Sequence, residues 1–121
     1  MIYIKKTLRS IKRAWRGLVC VWQDEQNFKI EIGFAILVIF LMFYLRVSLK
    51  ESVILILVIF TVLILEIINT VMERMADILK PKIHHYVAVL KDMMAAAVLL
   101  ASLVSIVIGL LIFIPYLTPG V

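Results

Sequence analysis

The sequence predicts an all-α integral membrane protein, an N-terminal amphipathic surface helix followed by three transmembrane helices. Three observations carry that prediction. Hydrophobic residues make up 64% of the chain, and the mean hydropathy of +1.12 lies far outside the range of soluble globular domains. Residues 28–47, 52–73 and 93–115 are three mostly apolar stretches, and about 20 such residues at 1.5 Å each cross a hydrocarbon core of roughly 30 Å. Residues 1–24, by contrast, are basic and periodic.

In that opening segment Ile4, Leu8, Ile11, Trp15, Leu18 and Trp22 recur at steps of 4, 3, 4, 3 and 4, with Lys5, Lys6, Arg9, Lys12, Arg13 and Arg16 between them. A helix with this pattern lies in the membrane surface. Its apolar stripe sinks into the headgroup boundary while the cations meet anionic lipid headgroups, each worth about 1 kcal/mol near such a surface. With membrane helices following, a nucleic-acid arm is the poorer reading, and no nucleic-acid partner is expected. A secretory signal would need its apolar core here, so no cleavage is expected either.

Among the three spans, 93–115 is uncharged throughout, 28–47 begins beside Lys29 and Glu31, and 52–73 contains Glu66. Six of the thirteen Lys and Arg residues precede residue 17, four more stand at Arg74, Lys80, Lys82 and Lys91, and the first inter-helix link holds Arg46 and Lys50. The excess of cations therefore orients the N-terminus and the second link to the cytoplasm, with RVSLKES and the tail YLTPGV outside. Pro81 suits a break between the second and third spans, and Pro115 suits the end of the third. Residues 1–121 show no internal repeat or linker and are read as one domain. The single cysteine, Cys20, cannot form an intramolecular disulfide and is read as a small packing residue. Trp15, Trp22, Tyr44 and Tyr116 are read as interfacial anchors.

The second span holds the chemistry. In LILEIINTVMERMAD, Glu66, Asn69, Glu73 and Asp77 are spaced 3, 4 and 4, which puts them on one helix face. A carboxylate near the bilayer centre costs on the order of 3 kcal/mol, so the stripe must face protein, water or ligand. Pairing with a neighbouring cation would explain Asp77 alone. Four polar groups together point to a ligand, because Leu would pack as well without the cost. Asp24, Glu25, Glu31, Lys91 and Asp92 belong to the same membrane level, and the loop adds Lys80, Lys82, His84 and His85.

The residue types present limit what such a site does. Neither CxxC nor HExxH occurs, and oxygen ligands dominate, so Mg²⁺ suits it better than Zn²⁺. No Ser lies in a GxSxG elbow, which argues against a hydrolase, and GxxxxGK[ST] is absent as well. Acids for Mg²⁺ and lysines for phosphate suggest nucleotide handling. Composition leaves open a membrane enzyme or a transporter, since intramembrane acids also mark ion and proton pathways.

The order E-x-x-F at Glu25 to Phe28, E-I-I-N-T-V-M-E-R-M-A-D at Glu66 to Asp77, and K-D at Lys91 and Asp92 resembles the bacterial membrane-integral diacylglycerol kinase and undecaprenol kinase family. The resemblance runs from about residue 10 to 117. It implies a multi-pass lipid kinase of the bacterial cytoplasmic membrane, a homotrimer with sites between subunits, that moves the γ-phosphoryl of ATP to a lipid alcohol with Mg²⁺. Glu66 would be the general base, with Asn69 beside it, and Glu25 and Glu73 would hold Mg²⁺. Lys91 would contact phosphate and Asp92 the nucleoside, while Asp77, Lys82 and His84 would stand near the nucleotide. Lys6 and Arg13 would serve the nucleotide, Lys6 standing where Arg is common. Arg16, Glu31 and Ala95 would border the lipid. Three thin helices cannot alone enclose ATP and a lipid, which favours an oligomer on geometric grounds too.

Asn27-Phe28, Ala95-Ala96 and the closing IGLLIFIPYL resemble the undecaprenol type, whereas Glu31 resembles the diacylglycerol type. The expected substrate is undecaprenol, with diacylglycerol as the alternative.

Overall fold

The computed structural model describes residues 1–79 and 84–118 and consists of four helices, α1 (Ile2–Asp24), α2 (Gln26–Tyr44), α3 (Leu49–Leu79) and α4 (His84–Leu117). Pro81 and Lys82 lie outside the described residues. The last three helices are long and apolar enough to cross a membrane.

Helix α1 carries the periodic segment, and the hydroxyls that could compete with its backbone are absorbed locally. Thr7 Oγ1 donates to the Tyr3 carbonyl at 2.8 Å and Ser10 Oγ to that of Lys6 at 3.1 Å. A single residue separates α1 from α2. Glu25 adopts an extended backbone (φ −114°, ψ 110°), while its N–H still closes the last turn of α1 onto the Val21 carbonyl at 2.9 Å.

The apolar window at 28–47 ends as a helix at Tyr44, three residues early. Arg46 takes a left-handed φ of 53°, and the Val47 N–H reaches back to the Met42 carbonyl at 3.1 Å. This is the six-to-one hydrogen bond of a Schellman cap, with Val47 packed against the apolar cluster around Met42 as such caps favour. Glycine is the usual occupant of the left-handed position, and its absence hid the stop. Three residues later α3 begins, earlier than the window at 52–73 implies, because Ser48 and Glu51 form a capping box. The Glu51 N–H donates to Ser48 Oγ at 3.3 Å, and that hydroxyl donates to Glu51 Oε1 at 2.9 Å. The other half of the box is relayed through α4. The Ser48 N–H donates to the Tyr116 hydroxyl at 3.2 Å, which donates to Glu51 Oε1 at 2.6 Å.

Tyr116 is thus a tertiary clasp rather than only an interfacial anchor. Its contact also accounts for Pro115 lying inside α4 instead of ending it. Proline forfeits one hydrogen bond in the last turn, yet Tyr116 is held from α3, and the Thr118 N–H still bonds the Ile114 carbonyl at 2.9 Å.

Helix α4 packs chiefly on α3, α2 packs on α3 less extensively, and α1 touches α2. The apolar core, Met42, Leu55, Ile112 and Phe113, sits at the end of the bundle that bears the α2–α3 turn. Polar side chains are buried farther along α3, at Glu66, Asn69 and Thr70. Eleven residues at 1.5 Å place Glu66 about 16 Å beyond Leu55. One end of the bundle is greasy and clasped; the other is acidic.

Candidate active site

Helix α3 supplies the centre of the acidic end. Glu66 is 2% exposed and Asn69 8%, both on membrane-grade helix, whereas Glu73 is half-buried and Asp77 exposed. The face predicted from the 3, 4, 4 spacing is therefore one face, sinking from Asp77 toward Glu66. Within it, Asn69 Nδ2 donates to Glu73 Oε1 at 3.2 Å, tying two members one turn apart. Thr70 Oγ1 is spent on the Glu66 carbonyl at 2.9 Å, which leaves the Glu66 carboxyl free of it.

Two further carboxyls come to Glu66 from other elements. Glu31 of α2 meets it directly, and Glu25, at the joint between α1 and α2, stands within electrostatic range, as does Glu73. The structure so brings Glu25, Glu31, Glu66, Asn69 and Glu73 together. Two oxygens of this group are left over: Glu31 Oε2 and Asn69 Oδ1 are buried and accept no hydrogen bond. Buried acceptors without donors are costly.

At the shallow end of the stripe, Lys91 Nζ of α4 donates to Asp77 Oδ1 at 2.5 Å, fixing the lysine beside the acids. Asp92 and Ala95 lie exposed on α4, and Lys6, Arg13 and Arg16 lie exposed along α1. Among the described residues these three cations pair with no acid of the cluster. Lys82 and the His84 side chain fall outside the described set.

Sequence reasoning missed the contact made by Arg74. Arg74 of α3 bonds Asp24 Oδ2 at 2.5 Å and Cys20 Sγ at 3.4 Å, both on the last turns of α1. Cys20 accordingly sits in a polar bracket rather than acting as an apolar filler. The signal was a lone arginine set among acids and facing a segment that ends in Asp24. Beside the cluster, Trp15, Trp22, Phe28, Phe60 and Ile64 line a groove with almost no polar surface, walled by α1, α2 and α3.

The sequence pattern of the prokaryotic diacylglycerol kinase family matches residues 12–113, which hold every member of the cluster. The chain belongs to that family. It is 32% identical to the undecaprenol kinase of Bacillus subtilis over 114 residues, covering 94% of this chain and 93% of the relative. To the diacylglycerol kinase of Escherichia coli K12 it is 29% identical over 102 residues, 84% of each chain. A diacylglycerol kinase of Synechocystis is 31% identical over 109 residues, 89% of this chain and 62% of the relative. This family member is therefore a membrane lipid kinase with a nucleotide co-substrate, and the transporter reading that composition left open falls away.

Proposed function

We propose that this kinase transfers the γ-phosphoryl of MgATP to the primary hydroxyl of undecaprenol. One observation carries the reading: Glu66 is a buried carboxyl on a membrane-spanning helix, grouped with Glu31, Glu25 and Glu73. A proton acceptor is needed where an alcohol held in lipid meets a phosphoryl group from water, and Glu66 would be that acceptor.

The Glu66 carboxylate accepts the lipid hydroxyl proton, the alcohol oxygen bonds to the γ-phosphorus, and the bond to the leaving ADP oxygen breaks. Phosphoryl transfer asks for positioning and charge neutralisation more than covalent chemistry, so a small site suffices. Asn69 orients Glu73 through its 3.2 Å bond. Lys91, held by Asp77, meets phosphate oxygens, and Asp92 meets the nucleoside. Lys82 from the α3–α4 link and His84 at the start of α4, with Lys6 and Arg13 of α1, complete the nucleotide's surroundings. Glu31, Arg16 and Ala95 border the lipid.

The donor set fits Mg²⁺. It consists of oxygens, with no thiol or imidazole within the cluster, and among the described residues no three acids close into a cage. Mg²⁺ is commonly held by one or two carboxylates together with substrate phosphates. Glu25 and Glu73 would hold it, and when bound it supplies neutralisation of phosphate charge. The buried Asn69 Oδ1, without a donor, adds one more oxygen to the cluster.

The surface helix α1 would lie on anionic headgroups, and three copies would assemble with the acidic end facing the cytoplasm across the bacterial cytoplasmic membrane. The undecaprenol preference rests on Asn27-Phe28, Ala95-Ala96 and the closing segment, together with the longer match to the Bacillus relative. Glu31 favours the second reading, diacylglycerol. The purified protein in mixed micelles, given MgATP labelled in the γ-position and either lipid, tests both. Undecaprenol is expected to take label faster. Faster labelling of diacylglycerol reverses the preference, and no lipid labelling with either overturns the reading.

A further inference from the structure

Helix α1 stands off from α3 across the apolar groove between Trp15, Leu18 and Trp22 on one side and Phe60, Ile64 and Ile67 on the other. Among the described residues, the hydrogen bonds that join these two helices all come from one side chain. Arg74 Nη2 donates to Asp24 Oδ2 at 2.5 Å and Arg74 Nη1 to Cys20 Sγ at 3.4 Å. Cys20 Sγ is itself 3.6 Å from Asp24 Oδ2, so the guanidinium grips two groups one turn apart on α1. A planar fork can do this, whereas a lysine ammonium would reach as a point charge.

The position of this bracket matters more than its strength. Asp24 immediately precedes Glu25, and Arg74 immediately follows Glu73. Glu25 is the single extended residue between α1 and α2 and so has no helix of its own to fix it. The bracket closes from α3 onto the residue before it.

We propose that Arg74 is a positioning residue for the metal-binding pair: by clamping the last turn of α1 to α3, it sets the separation of Glu25 and Glu73. This rests on the reading that those two carboxylates hold the divalent ion. Both partners are about half exposed, Arg74 at 49% and Asp24 at 53% of their side chains, and exposed ion pairs add little to stability. The consequence falls on metal affinity, in the way groups that orient metal ligands usually act.

The test uses the purified full-length chain in detergent with Mn²⁺ and a non-hydrolysable ATP analogue, reading bound metal from the loss of the free-ion paramagnetic resonance signal. Arg74→Ala is expected to weaken Mn²⁺ binding about 10- to 100-fold, with helicity and elution volume unchanged. Arg74→Lys, which keeps the charge and loses the fork, falls between and serves if the alanine variant does not fold. The reciprocal exchange Asp24→Arg with Arg74→Asp recovers part of the affinity. Unchanged binding in both Arg74 variants, while Glu25→Gln and Glu73→Gln weaken it, overturns the proposal alone. Unchanged binding in all four removes the metal assignment as well. No recovery in the exchange traces the loss to something other than the pair and also overturns the proposal.

Discussion

Replacing Glu66 with glutamine separates chemistry from folding. The side chain keeps its size in a site only 2% exposed, so no cavity opens. What is lost is the proposed proton acceptor. Such a base contributes about 10²- to 10⁴-fold to rate, or roughly 3–5 kcal/mol of barrier at 1.36 kcal/mol per decade. The structure also predicts the sign of the stability change. Glu31 Oε2 is buried without a donor beside Glu66, and the amide introduced by Glu66→Gln brings an N–H to it. A hydrogen bond contributes about 0.5–1.5 kcal/mol net, so the thermal midpoint should hold or rise while turnover collapses. Lipid phosphorylation and thermal unfolding, measured on one preparation, read both. Turnover near that of the unsubstituted chain would refute Glu66 as base; a large fall in the midpoint would refute the proposed hydrogen bond to Glu31.

The clasp at the other end predicts a different pattern. Tyr116→Phe removes the bonds to Glu51 and Ser48 and should cost about 1–2 kcal/mol of stability at roughly 1 kcal/mol per hydrogen bond, with KM values unchanged. Leu55→Ala, at a position 3% exposed in the apolar core, should cost about 2–5 kcal/mol by thermal or denaturant unfolding. Lys91→Met removes an ion pair of small worth to stability, yet would lose the proposed charge-assisted contact to phosphate, worth about 1.5–3 kcal/mol. Its KM for ATP should rise tenfold or more in steady-state assays, and an unchanged KM would detach Lys91 from the nucleotide.

The sequence made the acidic face of α3 legible because helical spacing fixes which residues share a face before any neighbour is known. That residues 2–24 form a helix was legible for the same reason, the steps of 3 and 4 needing no partner. Helix ends were less so. An apolar window measures what fits in lipid, whereas α4 starts at His84, nine residues before the window at 93, because polar residues continue a helix as well as apolar ones. The stop at Tyr44 depended on Arg46 in a left-handed conformation that its residue type does not advertise. Ser48 and Glu51 did advertise the start of α3, in the spacing S-x-x-E. Cross-helix partners were the least accessible. The approach of Glu31 to Glu66, and of Arg74 to Asp24 and Cys20, depends on how α1 and α2 rotate against α3, and periodicity within one helix carries no such information.

Because α3 runs unbroken from Leu49 to Leu79, Glu66, Asn69, Glu73 and Asp77 turn as one body with the lipid-embedded segment before them. Inserting a single alanine between Leu57 and Glu66 would swing all four by about 100° and lift them about 1.5 Å, facing them away from α2 without touching any of them. Four inserted alanines would bring the same face back to within about 40°. The register of this acidic face is therefore written in residues that have no chemistry of their own.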